Sequence, residues 1–223
     1  LLKKEDEKYR YCIQLYHHAI EGLRVDNKTV LEVGSGRGGG ASYIARYMSP
    51  KKIGGIDYSK NAIALCNRIH NEKNLEFVEG DASNIPFEDN SYDVVVNVES
   101  SHCYPSIPRF LSEVDRVLRP GGFFVWTDLC PKRALEKYEE AFNDLEMRCV
   151  ESYEITKNVL AALDKKTINN TKNEIIKKNT PLYLREILKD FSGVKDTNIY
   201  KTLKDGRTGY YFKVFQKSNG GEK

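Results

Sequence analysis

Four acidic residues and one histidine are best placed to do chemistry, each at or just past the end of a short apolar run. Glu32 stands two positions before Gly34-Ser35-Gly36-Arg37-Gly38-Gly39-Gly40, and Asp57 closes Gly55-Ile56-Asp57-Tyr58. Asp81 lies in Gly80-Asp81-Ala82, while Glu99 and His102 share Asn97-Val98-Glu99-Ser100-Ser101-His102. Glycines after a strand let the backbone turn tightly and let a ligand approach without Cβ clashes. Gly34-x-Gly36-x-x-Gly39 satisfies the dinucleotide fingerprint, and Asp57 follows at about the 20 residues that fingerprint asks of its ribose-binding acid. Glu32 argues against that ligand. A carboxylate there would repel a pyrophosphate seated on the helix N-terminus. It suits a ligand with a cationic sulfonium, an ammonium and no phosphate, and S-adenosyl-L-methionine is such a molecule. On this reading Asp57, with Tyr58 beside it, receives the ribose hydroxyls. Asp81 and Ala82 meet the adenine edge. Asn97 and Glu32 meet the methionine end across Gly34, Ser35 and Gly36.

Methyl transfer is an in-line displacement, so alignment and exclusion of water can supply much of the rate. A hydroxyl acceptor must also lose its proton, and a general base contributes ~10²–10⁴-fold. His102 is the preferred base because an imidazole titrates near neutrality. Glu99 is the second choice, as base or as orienter of His102, and catalysis by positioning alone stays open. Cys103 invites a nucleophile reading that a one-step transfer does not need. His17 and His18 are adjacent and point to different helix sectors, so no metal site is expected.

The elements that must position these groups follow from periodicity. Apolar residues at 9, 13, 16, 20 and 23 predict an amphipathic first helix, whose Tyr9, Tyr11 and Tyr16 could close over the cofactor. Thr29–Val33, Ile53–Ile56, Leu75–Val78, Tyr92–Val98 and Phe123–Thr127 read as buried strands separated by helical stretches. Such alternation predicts a doubly wound parallel α/β sheet. Residues 131–190 show only helical periodicity and read as a lid, with Leu160, Ala161, Ala162 and Leu163 facing an acceptor. Lys195–Leu203 and Thr208–Gln216, joined across Asp205-Gly206, read as a terminal hairpin. The chain is thus read as one domain over 1–223. It holds an N-terminal helix (1–28), a cofactor-binding core (29–130), a helical lid (131–190) and a C-terminal hairpin (191–223).

Glu32-x-Gly34-x-Gly36-x-Gly38, Asp57, Gly80-Asp81-Ala82 and Arg116-Val-Leu-Arg-Pro-Gly-Gly122 together resemble the class I S-adenosylmethionine-dependent methyltransferases. That resemblance implies a Rossmann-like seven-stranded sheet in the order 3-2-1-4-5-7-6 with the last strand antiparallel. The hairpin would then supply strands six and seven, with the lid inserted between strands five and six. Gly38-Gly-Gly-Ala-Ser-Tyr43, Asn97-Val-Glu-Ser-Ser-His-Cys-Tyr-Pro105 and Arg109-Phe-Leu-Ser-Glu113 are similar to the phthiotriol/phenolphthiotriol dimycocerosates methyltransferases. This implies O-methylation of a secondary hydroxyl on a bulky, apolar, polyketide-derived lipid, with S-adenosyl-L-homocysteine as product. N- or C-methylation of another small molecule, or cofactor binding without turnover, are the alternatives.

The 223 residues carry 35 Lys and Arg against 32 Asp and Glu, too balanced to argue for nucleic acid. The basic excess lies in residues 181–223, and the lysines at 165, 166, 177 and 178 read as a solvated face that leaves room for weak contact with a membrane surface. No apolar run approaches the ~18 residues of a membrane-spanning helix. Five scattered cysteines without a CxxC pair read as reduced thiols in the cytoplasm. The chain opens Leu1-Leu2-Lys3-Lys4 without Met or a secretory leader's apolar stretch, and is read as lacking its true start.

Overall fold

The computed structural model describes residues 1–219, and all of their side chains except those of residues 166–169, 171, 179 and 191. A 3-10 turn at Lys4–Tyr9 leads into α1 (Arg10–Ile20), which buries Ile13, Ala19 and Ile20. Tyr9, expected on the same stripe, is 38% exposed, because the three-residue turn rotates it off the helix face. There follow β1 (Thr29–Val33), α2 (Gly39–Tyr47), β2 (Lys52–Asp57), α3 (Lys60–Ile69), β3 (Leu75–Glu79), β4 (Tyr92–Val98), α4 (Ile107–Val117) and β5 (Leu118–Pro131). Ser59 caps α3 by accepting from the Ala62 amide at 3.3 Å. Ser106 caps α4, where Pro108 sits in the first turn and no amide donor is missed.

β1 to β5 pair in parallel. Successive strand residues point to opposite faces, and both faces are covered. Val30, Val94, Val96 and Val125 pack with residues of α1, α2 and α3. Leu31, Val33, Val95, Phe124 and Trp126 pack with α4 and the helix that follows β5. Burial on both sides is why these strands read as continuous apolar runs.

Beyond β5 the order departs from the sequence expectation. α5 (Lys132–Asn143) is followed by β6 (Met147–Glu154), inside the segment expected to be wholly helical. Then come α6 (Thr156–Leu163), α7 (Lys166–Asn179), a 3-10 turn at Leu182–Leu184, α8 (Arg185–Phe191) and α9 (Asn198–Lys204) before β7 (Thr208–Lys217). The helical insert therefore lies between β6 and β7, not between strands five and six. The terminal hairpin is also corrected, since residues 198–204 are helical and the partner of β7 is β6. The physical reason is that β6 is an edge strand whose residues beyond Met147 are exposed, so it carries no apolar pattern. Tyr200 and Leu203, three apart, are both buried against Leu163, and the helical period wins there. β7 runs antiparallel to both β5 and β6. The sheet order is β3-β2-β1-β4-β5-β7-β6, the Rossmann-like arrangement with an antiparallel last strand that the resemblance implied. Among the described residues no helix is long and apolar enough to cross a membrane, and all five cysteines are free.

One face of the sheet is threaded by aromatic rings that end at the functional loops. Phe110 is fully buried, 4.9 Å from the ring of Tyr104 and 5.8 Å from that of Phe124. The series continues through Phe215 and Phe142 to Trp126. Replacing Phe110 by Ala is expected to lower stability by about 3–5 kcal/mol, read from denaturant unfolding. A loss below about 1 kcal/mol would show that this series does not support the loop.

Candidate active site

The turn from β1 into α2 holds Gly34, Gly36 and Gly38 at φ of +76°, +54° and +74°, where side chains are strained. A Cβ on Gly34 would also collide with Ser100 and the Tyr104 hydroxyl, while one on Gly36 would meet nothing within 4 Å. The loop is thus packed on its inner side and open above Gly36. Beneath it Glu32 is fully buried. Its Oε2 accepts from the Ala41 amide at 2.7 Å and its Oε1 from the Tyr16 hydroxyl at 2.6 Å. Burial pushes the carboxyl up to about 7, against the opposing pull of these two donors. Of the first-helix tyrosines, Tyr16 is the one that reaches this loop.

Asp57 ends β2 with Oδ2 accepting from the Gly36 amide at 2.8 Å and Oδ1 from the Ser59 amide at 2.9 Å. A carboxylate so held keeps further acceptor capacity on each oxygen, which suits two neighbouring hydroxyls. Tyr58 beside it is 80% exposed. Asp81 accepts from the Ser83 amide at 2.7 Å and shapes the loop after β3, and Ala82 packs on the core from the same loop. Asn97 is fully buried at the end of β4, its amide nitrogen within 3.0 Å of the Val33 carbonyl, Ser100 Oγ and the Tyr104 hydroxyl. Its Oδ1 and the Ser35 hydroxyl are buried without a partner. Unsatisfied polar atoms at an open glycine loop fit a ligand with a polar, cationic end.

The second constellation follows β4. Glu99 takes φ +51°, a strained value for a side chain of its size, and redirects the chain into a 3-10 turn at Ser101–Cys103. That turn wraps Asp128, which is fully buried on β5, one residue past the stretch paired with β4. Asp128 accepts from the Ser101 hydroxyl at 2.7 Å, the His102 amide at 3.0 Å and the Leu129 amide at 2.8 Å. His102 Nδ1 lies 2.7 Å from Asp128 Oδ1. Burial draws the imidazole pKa down, but the Asp128 hydrogen bond and charge outweigh it, leaving His102 above its ordinary 6.5. Asp128, not Glu99, is therefore the group that holds His102. Sequence reasoning passed over it. The available signal was an acid closing the fifth apolar strand beside the histidine-bearing turn, since Val98 and Thr127 are in register.

A cavity of about 520 Å³ lies between α1 and α6, walled by Cys12, Leu15, Val159 and Ala162 and reached by Glu99 and Tyr210. The expected lid residues Ala161 and Leu163 line it, as do Lys165 and Lys172. Lys177 and Lys178 are exposed, and the side chain of Lys166 lies outside the described residues. Among the described residues no three His, Cys, Asp or Glu side chains are grouped to hold a metal.

Replacing Asp128 by Asn removes the charge that raises His102, so the imidazole pKa is expected to fall below its wild-type value, read by NMR titration of the ring. The sign follows from linkage. A raised imidazole pKa stabilises the fold below the unfolded value and is lost as pH rises through the folded one. The variant should therefore lose stability more at pH 6 than at pH 9. Equal losses would mean that His102 is not paired with Asp128.

Residues 31–126, which contain the glycine loop and the acid-ended strands, match the family described as methyltransferase domain. Over 217 residues the chain is 39% identical to the phthiotriol/phenolphthiotriol dimycocerosates methyltransferase of Mycobacterium leprae (strain TN), covering 97% of this chain and 79% of that protein. It is 39% identical over 216 residues to the fatty-acid O-methyltransferase of Mycolicibacterium smegmatis, covering 97% and 77%. Among solved structures the cyclase SpnF shares the fold with a TM-score of 0.76 at 19% identity, covering 93% of this chain and 81% of that one. A cyclase on this fold shows that architecture alone does not assign a reaction, whereas the sequence match runs through the glycine loop and the turn after β4. The chain belongs to the class I S-adenosylmethionine-dependent methyltransferases, close to the phthiotriol/phenolphthiotriol dimycocerosates enzymes.

Proposed function

We propose that this methyltransferase transfers its methyl group to a hydroxyl of a bulky, apolar, lipid- or polyketide-like molecule. The cavity between α1 and α6 carries this reading: its walls are mostly apolar, and Glu99 borders it one residue before Ser100, which lies under Gly34. Glu32, Ser35 and Asn97 hold the methionine end of the cofactor, with Gly34 and Gly36 giving backbone access. Asp57, flanked by Tyr58, receives the ribose, and Asp81 and Ala82 the adenine edge. When bound, S-adenosylmethionine supplies a methyl group on a cationic sulfur. His102 takes the acceptor's proton, and Asp128 keeps the imidazole oriented through Nδ1 so that exchange passes through Nε2. Glu99 is the alternative base. The relatives' names, a phthiotriol and a fatty-acid O-methyltransferase, support a lipid-like acceptor. Lys165 and Lys172 on the cavity wall favour a second reading, methylation of a long-chain carboxylate.

Transfer of labelled methyl to tridecan-2-ol and to tetradecanoate separates the two. His102→Ala should slow ether formation ~10²–10⁴-fold. It should barely affect a carboxylate, which has no proton to lose, and S-adenosylhomocysteine binding should be unchanged. Undiminished ether formation would remove His102 as base, and transfer to neither compound would overturn the acceptor class.

Glu32 gives a pH signature. Its carboxyl titrates at about 7 in the ligand-free protein, and a cation favours the ionised form. Affinity for S-adenosylmethionine should therefore rise between pH 6 and 8 and then level off, and this rise should be absent in Glu32→Gln. Calorimetry across that range is the measurement. An identical slope in both proteins would show that Glu32 does not face the cofactor's charge.

A further inference from the structure

We infer that the Tyr210 hydroxyl is the subsite for the acceptor's oxygen, donating a hydrogen bond to it inside the cavity between α1 and α6. This rests on reading that cavity as the acceptor site. Tyr210 is 1% exposed, and its hydroxyl is buried without a hydrogen-bond partner. Its backbone is held rigidly. The amide donates to Thr156 Oγ1 at 2.8 Å, the carbonyl accepts from the Ile155 amide at 2.7 Å, and β7 pairs it with Leu129 of β5. The ring itself is packed in the hydrophobic core, so it cannot easily turn to find a partner elsewhere. Burying an O–H that makes no well-formed hydrogen bond is costly, and phenylalanine would fill the same space without that cost. The residue borders the cavity together with Glu99, so the missing partner belongs in the cavity. Burial, then the charges of Glu99 and Asp128 and a loose contact of the hydroxyl with the Glu99 carboxylate that falls short of a well-formed hydrogen bond, hold the phenol above its ordinary value of 10, so it remains a donor at neutral pH.

The chemistry selects oxygen. A hydroxyl oxygen has two lone pairs. One can accept from Tyr210 while the other forms the bond to the methyl carbon, the carbon–sulfur bond breaks and the proton leaves to the base. A neutral amine has one lone pair, and a hydrogen bond from Tyr210 would occupy the pair that must attack. A hydrocarbon would leave the buried hydroxyl unpaired, and sites built this way discriminate strongly against a ligand lacking its polar partner.

The test is Tyr210→Phe, compared with the unaltered protein, both saturated with S-adenosylhomocysteine. Calorimetric titration uses 4-phenylbutan-2-ol and butylbenzene, which share a carbon skeleton and differ by the hydroxyl. The alcohol should bind about tenfold more weakly to the variant, the order of one hydrogen bond. Butylbenzene should bind equally well or better. Cofactor affinity should be unchanged and Tm unchanged or higher, because an unpartnered group has been removed. Equal alcohol affinity in the two proteins, or no alcohol binding to either, would overturn the proposal. So would a lower Tm, which would reveal a structural bond, for example to Glu99. Methyl transfer to the alcohol is measured in parallel. A binding preference with no transfer would defeat the proposed reaction and leave the subsite standing, whereas transfer that persists without the preference would do the reverse.

Discussion

The buried carboxylate of Glu32 is the constraint around which the cofactor end of the molecule is built. It stands on β1, between β2 and β4, takes one hydrogen bond from the first turn of α2 and another from Tyr16 of α1. One side chain thus ties together the sheet, the helix that follows the glycine loop and the helix that precedes the core. An ion in such a place is expensive unless it is paired, and two neutral donors compensate it only partly, which is why its pKa climbs to about 7. A cation over the loop would complete the compensation. The site is poised rather than satisfied, and the unpartnered Ser35 and Asn97 oxygens beside it describe the same condition.

Asp128 is the corresponding buried acid at the turn after β4, but it is fully satisfied. Two backbone amides, the Ser101 hydroxyl and the His102 imidazole converge on it, and Trp126 donates to that same hydroxyl at 2.8 Å. Saturation makes it a rigid anchor. The left-handed backbone at Glu99 is the local strain accepted so that the turn can wrap it. One buried acid is left short of partners and awaits a ligand. The other is complete and fixes a histidine.

The parallel core and the glycine loop were legible because their signals are local. Continuous apolar runs mean burial on both faces, and a loop that needs positive φ at three positions must write glycine there. Ser59 announced the start of α3 for the same reason. β6 was not legible. As an exposed edge strand it answers to its hydrogen bonds with β7 rather than to its own side chains. The stretch before β7 misled because Asp205-Gly206 before an alternating run reads as a hairpin turn, whereas Tyr200 and Leu203, three apart, share the helix face that packs on Leu163. Near the glycine loop, the positions of Glu32, Asp57 and Asn97 on or at the ends of strands could be read from the apolar runs alone. Asp128 as the holder of His102 could not, because their pairing depends on the register between β4 and β5. The unpartnered state of the Tyr210 hydroxyl is likewise a property of three-dimensional packing that no residue pattern records.

The division of labour between sheet and helices accounts for how such an enzyme could change acceptors. The groups proposed to do the chemistry sit on adjacent strands or just past them: Glu99 and His102 just past β4, Asp128 on β5 and Tyr210 on β7. Val98 pairs with Thr127, and Leu129 with Tyr210. Their spacing is set by main-chain hydrogen bonds, which tolerate little drift. Much of the apolar cavity wall comes instead from α1 and α6, where small and medium side chains such as Ala161, Ala162 and Val159 can be exchanged without moving a strand. Relatives named for a phthiotriol and for a fatty acid match this chain at the same 39% identity. If the reaction is written into strand register and the choice of substrate into helix surfaces, relatives can differ in acceptor while keeping the same sheet.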